Sequence, residues 1–363
     1  MNIRWGFLGA SRIGNALAPA MRAAGQTLAG IAARDPGRAD AYARKHGFIR
    51  THLTYDDLIR DPQIDAIYNA LPNDLHFPWS ARALEAGKHV LCEKPMMLGA
   101  GEVRQLMSIQ KRSGSIISEA FMHRHHPQYA QALALIRAGE LGELRTASAG
   151  YRFTLTRPDD YRWEAEKGGG ALYDVGCYCV SALRLLLDRE PVRVSAARHD
   201  LRGIDGTLVG WLDFGEGFAA HFDCSLEASP GQYLSLVGSR ATLNMDVPFG
   251  PHRREAHLQA GDRTFRYEPN DPYEFMVADF GRAVRHREEP TWGLDDALAQ
   301  AQVLDALFES ARRGEVVTVS SREPEPAGDA LTCARPHVMD GTRGMGRHLK
   351  VRGAAVQSWD FRM

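Results

Sequence analysis

Lys94 closes a short apolar run, His89-Val90-Leu91-Cys92, and Glu93 and Pro95 flank it. The run reads as a buried strand. Proline has no N–H and fixes φ, so the strand stops there and the backbone turns. In an open α/β sheet, ligands gather outside the carboxyl ends of the strands, which puts the Lys94 ammonium where a ligand lies. A second group stands in Lys167-Gly-Gly-Gly-Ala-Leu-Tyr-Asp174-Val-Gly-Cys-Tyr178. Asp174 and Tyr178 are four apart, so on a helix they share one face. The three glycines before them permit a backbone path that side chains would block. An ammonium, a carboxylate and a phenol can bind a small hydroxylated substrate and exchange a proton with it. The plainer alternative makes Lys94 a solvated charge, Tyr178 a half-buried helix aromatic and Asp174 a charge at a helix start.

These groups need elements to position them, and the chain begins with one. Ile3 to Leu8 reads as a strand that runs into Gly9-Ala-Ser-Arg-Ile-Gly14. Ile13, Leu17, Met21 and Ala24 follow at helical spacing, with Gly25 as a stop. A glycine-bracketed turn between strand and helix is the context of a dinucleotide site. Gly9 allows the tight turn and Gly14 lets the helix pack close. Ser11 stands in the middle position, where it narrows the approach of a diphosphate to the backbone. That diphosphate would rest on free N–H groups at the helix start; a plain strand-to-helix turn is the alternative. The second strand, Leu28 to Ala33, ends in Arg34-Asp35-Pro36, with Arg38 one turn on. Arg34 can stack on adenine and pair with a 2′-phosphate through its fork of donors. Asp35 before Pro36 reads as a helix cap. This favours NADP over NAD, with Asp35 reaching the ribose as the competing possibility.

The alternation continues. Helices are expected from Thr54, over Phe77 to Ala86 and over Ala100 to Arg112. Strands are expected over Asp65 to Leu71, at Lys94 and over Ser115 to Glu119. Strands alternating with helices imply a parallel, doubly wound (Rossmann) sheet. From Glu143 the texture changes to consecutive strand-like runs, at 144–153, 192–199, 207–214, 218–226, 233–238 and 242–245, parted by turn signals. This predicts a second, predominantly antiparallel sheet domain, so the fold class is α/β followed by α+β. A helix is expected over Leu172 to Leu187. Helices at Tyr273 to Arg287 and Leu294 to Arg313 are expected to return over the first domain. The divisions are 1–123, 124–320 and a poorly ordered tail, 321–363.

Gly9-x-x-x-x-Gly14, Pro72-Asn73-x-x-His76, Glu93-Lys94-Pro95 and Glu119-Ala-Phe-Met-x-Arg-x-His-Pro127 together resemble the Gfo/Idh/MocA oxidoreductase family over roughly residues 1 to 320. Glu119-Ala-Phe-Met122 and Asp174-Val-Gly-Cys-Tyr178 are most similar to the branch of glucose–fructose oxidoreductase, dihydrodiol dehydrogenase and D-xylose dehydrogenase. The family usually carries His where Tyr178 stands. The resemblance implies an NAD(P)-dependent dehydrogenase or reductase acting on a sugar, polyol or cyclic diol. It implies cofactor contacts from Gly9, Ser11, Arg12, Ile13, Arg34, Arg38, Leu71, Pro72, Asn73, His76, Glu93 and Lys94. It implies Lys94, Tyr178 and Asp174 as catalytic residues, with Arg124, Arg162 and Trp163 beside the substrate. Tyr178 is then the acid/base, and Lys94 is expected to lower its pKa by favouring the phenolate. An NAD-linked inositol-type dehydrogenase is one alternative; a non-catalytic nucleotide- or sugar-sensing protein on the same scaffold is another.

Composition fits this reading. Lys plus Arg number 44 and Asp plus Glu 45, so nothing suggests a nucleic-acid partner. With a strand starting almost at once, no signal peptide is expected, and no apolar run is expected to cross a membrane. Five scattered cysteines suit a reducing cytoplasm. Cys177 and Cys179, two apart on a helix, are expected to pack rather than form a redox pair. His123, His125 and His126 are too close in sequence to converge easily on a metal, and no metal is expected. A sheet with one face bare of its own helices suggests a homodimer or homotetramer.

Overall fold

The computed structural model describes residues 2–252 and 254–319. Its first half alternates β1 Arg4–Leu8, α1 Gly14–Ala23, β2 Thr27–Ala32, α2 Pro36–His46, β3 Arg50–His52, α3 Tyr55–Arg60, β4 Ala66–Asn69, α4 His76–Glu85, β5 His89–Cys92, α5 Ala100–Ser113 and β6 Ile117–Glu119. The strands form one parallel sheet in the order β3-β2-β1-β4-β5-β6. Strand order reverses between β1 and β4, which opens a crevice at their carboxyl ends. β1 lies at the centre, with Trp5, Phe7 and Leu8 fully buried. The edge strand β3 is not foreseen by the sequence: Arg50-Thr51-His52 has no apolar run to announce it.

The second half contains α6 Pro127–Arg137, β7 Leu144–Thr154, α7 Cys177–Leu187, β8 Arg193–Leu201, β9 Ile204–Asp213, β10 Ala219–Ser225, β11 Glu227–Gly238, β12 Thr242–Met245, β13 Ala256–Ala260, β14 Arg263–Tyr267, α8 Pro272–His286, α9 Leu294–Arg313 and β15 Val317–Thr318. Nine strands pair in the order β14-β13-β12-β11-β7-β10-β9-β8-β15. The sheet is mostly antiparallel but mixed. β7 and β10 run parallel, because α7 and the β8–β9 hairpin lie between them in sequence. Ala147, Ala149, Phe222, Leu234 and Leu236 are buried on one face, the side on which α7 packs. Val209 and Trp211 are exposed on the other.

Helices α8 and α9 fold back onto the parallel sheet's layer. Phe280 of α8 packs on Trp5 of β1, ring centroids 5.2 Å apart. Asp305 of α9 accepts a hydrogen bond from the Ala100 amide that starts α5, at 2.9 Å.

Two expectations need correction. Residues 172–187 are not one regular helix: Leu172–Gly176 forms a wider π-type turn before α7. Asp205 accepts a hydrogen bond from the Leu172 amide at 2.7 Å and fixes that start from outside the helix. An apolar stretch of membrane-spanning length does exist, Ala165–Leu187, although most of it is buried inside the protein. The expected tail, 321–363, lies outside the described residues.

Candidate active site

The glycine turn sits at the crevice. Gly9 has φ +89°, which an L side chain rarely adopts, and its amide donates to Ala32 O at 2.8 Å. A Cβ on Gly14 would fall 2.4 Å from the Tyr42 hydroxyl, so α1 approaches α2 closely only with glycine there. The Ser11 hydroxyl accepts from the Gly14 amide at 3.1 Å. Ile13 precedes α1 without a capping side chain, and the first turn of α1 holds no acidic residue. Ser11 thus holds the Gly14 amide, while no carboxylate in that first turn offsets the helix's positive end against an anion. Arg34 is exposed at the end of β2, and Arg38 Nη2 reaches back to Ala10 O at 3.3 Å. Asp35 Oδ1 accepts from the Gly37 and Arg38 amides, so it caps α2. These residues fit a dinucleotide: a cradle for its diphosphate, with two arginines, Arg34 and Arg38, at the end of β2 and the start of α2.

The loop after β4 forms the opposite wall. Leu71 is buried and its side chain lies under the Gly9 turn. Pro72 is half-buried beside it, and Asn73 Nδ2 donates to Gly168 O at 2.8 Å. His76, assigned to the cofactor on resemblance, is fully buried instead. Its Nδ1 lies 2.9 Å from Pro95 O and its Nε2 2.9 Å from Leu71 O, so it braces two loops from below. Glu93 is also turned inward. Its Oε1 accepts from the Tyr68 hydroxyl at 2.6 Å, and burial raises its pKa. Both residues support the crevice wall from behind.

Lys94 does meet Asp174. Its ammonium lies 3.1 Å from Asp174 Oδ1 and also donates to the Asp174 carbonyl. Arg162 Nε lies 2.8 Å from Asp174 Oδ2. Burial alone would raise the Asp174 carboxyl, but the two cations outweigh it and hold it below the usual carboxylate range. Burial alone would lower Lys94; the Asp174 carboxylate outweighs that and raises it. The pair is ionised at neutral pH.

Tyr178 is placed differently from expectation. Lys94 Nζ lies over its ring face, 4.9 Å from the centroid. Phe121, His123, Tyr151 and Phe249 surround the ring at centroid distances of 5.4, 5.1, 5.7 and 6.0 Å. The hydroxyl points to Met122 Sδ at 4.0 Å, a weak acceptor. Burial in this apolar surround pushes the phenol well above its ordinary pKa. The direction is opposite to the lowering expected from Lys94: burial prevails, and the ammonium's hydrogen bonds go to Asp174.

Two substrate assignments are also corrected. Arg124 is buried, donating to Ser181 Oγ at 2.8 Å and ion-paired to Asp296, with Phe121 and Trp292 stacked on its guanidinium. It joins α7 to α9 rather than facing a ligand. Trp163 donates to Arg157 O at 2.8 Å, carries Arg202 on its ring and packs against the core, so its indole N–H is engaged within its own loop rather than toward Lys94 or Asp174. The three histidines diverge. His123 joins the aromatic wall, His125 meets Trp292 edge-on, and His126 lies against Asn270. The described cysteines, Cys92, Cys177, Cys179 and Cys224, are free thiols. The sequence reading overlooks Asp160, Tyr161, Tyr151 and Phe249. Asp160 and Tyr161 had a usable signal, as the two residues before Arg162 in a turn; Tyr151 and Phe249 come from a strand and a loop far apart in sequence.

Comparison with known proteins follows the same division. Residues 3–121 match the model of an oxidoreductase family with an NAD-binding Rossmann fold, and residues 129–244 match the GFO/IDH/MocA C-terminal domain. The D-xylose 1-dehydrogenase (NADP(+)) 2 of Haloferax volcanii is 34% identical, covering 86% of this chain and 98% of that one. The mouse trans-1,2-dihydrobenzene-1,2-diol dehydrogenase is 32% identical, covering 88% and 98%. Among solved structures, a 3-ketoreductase of Actinomadura kijaniata in complex with NADP and TDP-benzene superposes with a TM-score of 0.80 at 29% identity, covering 85% and 98%. That reductase has also been solved with one lysine changed to alanine and with one tyrosine changed to phenylalanine. Those two positions are 84 apart in its chain.

Proposed function

The chain belongs to the Gfo/Idh/MocA oxidoreductase family, and on that premise we propose that it is an NADP-preferring dehydrogenase or reductase of a sugar, polyol or cyclic diol. The observation that carries this is the buried meeting of Lys94, from the parallel sheet's carboxyl edge, with Asp174 and Tyr178 from the second half. Lys94 and Tyr178 are 84 positions apart, the separation of the lysine and tyrosine replaced in the Actinomadura reductase.

A bound nicotinamide dinucleotide supplies the hydride acceptor or donor. The turn from Gly9 to Gly14 and the start of α1 hold its diphosphate. Arg34 and Arg38 favour the 2′-phosphate of NADP, since Asp35 is engaged as the cap of α2. Lys94 has three N–H donors and directs two at Asp174, which leaves one for a substrate oxygen. Asp174 fixes that ammonium and offers its carboxylate to a second hydroxyl. Tyr178, kept protonated by burial, donates its proton to the oxygen of a carbonyl being reduced. The aromatic wall of Tyr151, Tyr178 and Phe249 suits the C–H face of a ring substrate.

The sheet's outer face, with Val209 and Trp211 exposed to 51% and 38%, is proposed to pair with a second copy in a homodimer or homotetramer. The free thiols suit a cytoplasmic setting. Reduced-nicotinamide absorbance, followed with NADP and NAD across aldoses, inositols and dihydrodiols, tests the activity. Turnover of a member of one class, faster with NADP, is expected; a chain that binds neither dinucleotide overturns the reading.

A further inference from the structure

Asp160 is an almost fully buried carboxylate, its side chain 1% exposed, at the start of the short turn Tyr161–Trp163. Three guanidinium groups converge on it. Arg12 Nη2 and Arg157 Nη2 each lie 2.8 Å from Oδ2, and Arg162 Nη1 lies 3.0 Å from Oδ1. The Arg162 amide also donates to Oδ1, at 3.3 Å. Arg12 belongs to the glycine turn of the parallel-sheet half. Arg162 continues to Asp174, on whose other oxygen Lys94 rests. One carboxylate therefore links the diphosphate turn to the reacting groups through alternating charges.

The segment that carries Asp160 is fastened to the first half elsewhere too. Asn73 Nδ2 donates to Gly168 O at 2.8 Å, and the Tyr161 hydroxyl donates to Asn73 Oδ1 at 3.5 Å. Residues 157–170 thus span from the glycine turn to the loop after β4. These are the two walls of the crevice at the strand-order reversal, where a dinucleotide lies.

Resting on the dinucleotide site read above, we propose that Asp160 is a positioning residue that clasps residues 157–170 over the bound cofactor through Arg12 and steadies Asp174 through Arg162. The sign of its effect separates this from a bystander charge. Three arginines around one carboxylate leave a positive site, so by Coulomb's law alone the loss of Asp160 strengthens the hold on an anionic dinucleotide. A clasp that is cut lets the dinucleotide go.

The test uses the full chain and NADPH, with release followed by the fluorescence of the bound nicotinamide. Asp160→Asn keeps the shape and removes the charge; release should accelerate about tenfold or more, the scale of a lost charge-assisted hydrogen bond. On the best substrate found, kcat should fall while the KM for that substrate holds. Arg12→Gln removes only the exposed partner, leaves the buried carboxylate held by two arginines, and should accelerate release similarly. The double variant should release no faster than the quicker single one. Unchanged or slower release from Asp160→Asn, or additive effects in the double variant, overturns the clasp while leaving the proposed function standing. A wild-type chain that binds neither dinucleotide overturns both. If Asp160→Asn folds poorly, unchanged release from Arg12→Gln suffices to overturn it.

Discussion

Lys94 rests on the face of the Tyr178 ring, 4.9 Å from its centroid, while the phenol hydroxyl turns to Met122 Sδ at 4.0 Å. A cation over a ring face is attracted by the ring's quadrupole, and that contact does little for a negative charge on the oxygen. Lys94 thereby holds the Tyr178 ring in place while the hydroxyl keeps its proton.

Tyr178→Phe preserves the ring, its aromatic neighbours and the cation on its face. It should lower kcat by about 10²- to 10⁴-fold, the usual scale for a lost acid/base group, with dinucleotide affinity intact. Turnover at the wild-type level would remove Tyr178 from the chemistry.

The pH profile has a defined sign. Asp174 is depressed, so its contribution to stability is present above the unfolded-state pKa and disappears as pH falls through the lower folded value. Lys94 is raised, so its contribution is present below its unfolded-state pKa and disappears only as pH rises through the higher folded value. Between those limits the pair stays intact, and Tyr178 stays protonated. The rate of carbonyl reduction should carry no Tyr178-dependent limb near neutrality. A neutral limb present in the wild type and absent from Tyr178→Phe would show that the phenol ionises there after all.

Arg34→Ala should weaken NADP by about tenfold or more, as expected for one lost charged contact, and NAD far less. Binding titrations with both dinucleotides decide it; equal losses would show that Arg34 reads only the adenine.

Glu119 sits at the end of β6 with Oε1 on the Met96 amide at 2.7 Å, and its Oε2 is buried without a partner among the described residues. Burial pushes its carboxyl up to about 7. A folded pKa above the unfolded one means stability is lost as pH rises from the unfolded value through the folded one. Glu119→Gln should therefore stabilise the protein at pH 8 by up to about 3 kcal/mol and by less than about 1 kcal/mol at pH 5. Chemical denaturation at the two pH values checks this, and an equal effect at both would mean the carboxyl is ordinary.

The order of elements was readable because the signals are local. The cap at Asp35, the glycine turn and the strand ended by Pro95 each need only a few neighbouring residues to form. Lys94 and Asp174 could be brought to one place by family likeness, with both at predictable edges. The state of Tyr178 was not readable: it depends on Phe121, His123, Tyr151 and Phe249, which converge from three separate stretches of chain. Arg124 misled for the same reason. Its motif is local, but Asp296, which claims it, stands on α9 far along the chain. β3 was missed because an edge strand of three polar residues has no buried face to set a pattern.

Phe280 covers Trp5 from a helix that is made more than two hundred residues later. While the protein is being synthesised, the parallel sheet must wait with a tryptophan of its central strand uncovered. A gene fragment stopping at residue 123 would keep that wound open permanently, so the nucleotide half is expected to be sticky by itself. Any transplant of this half into another protein has to bring Pro272–His286 with it.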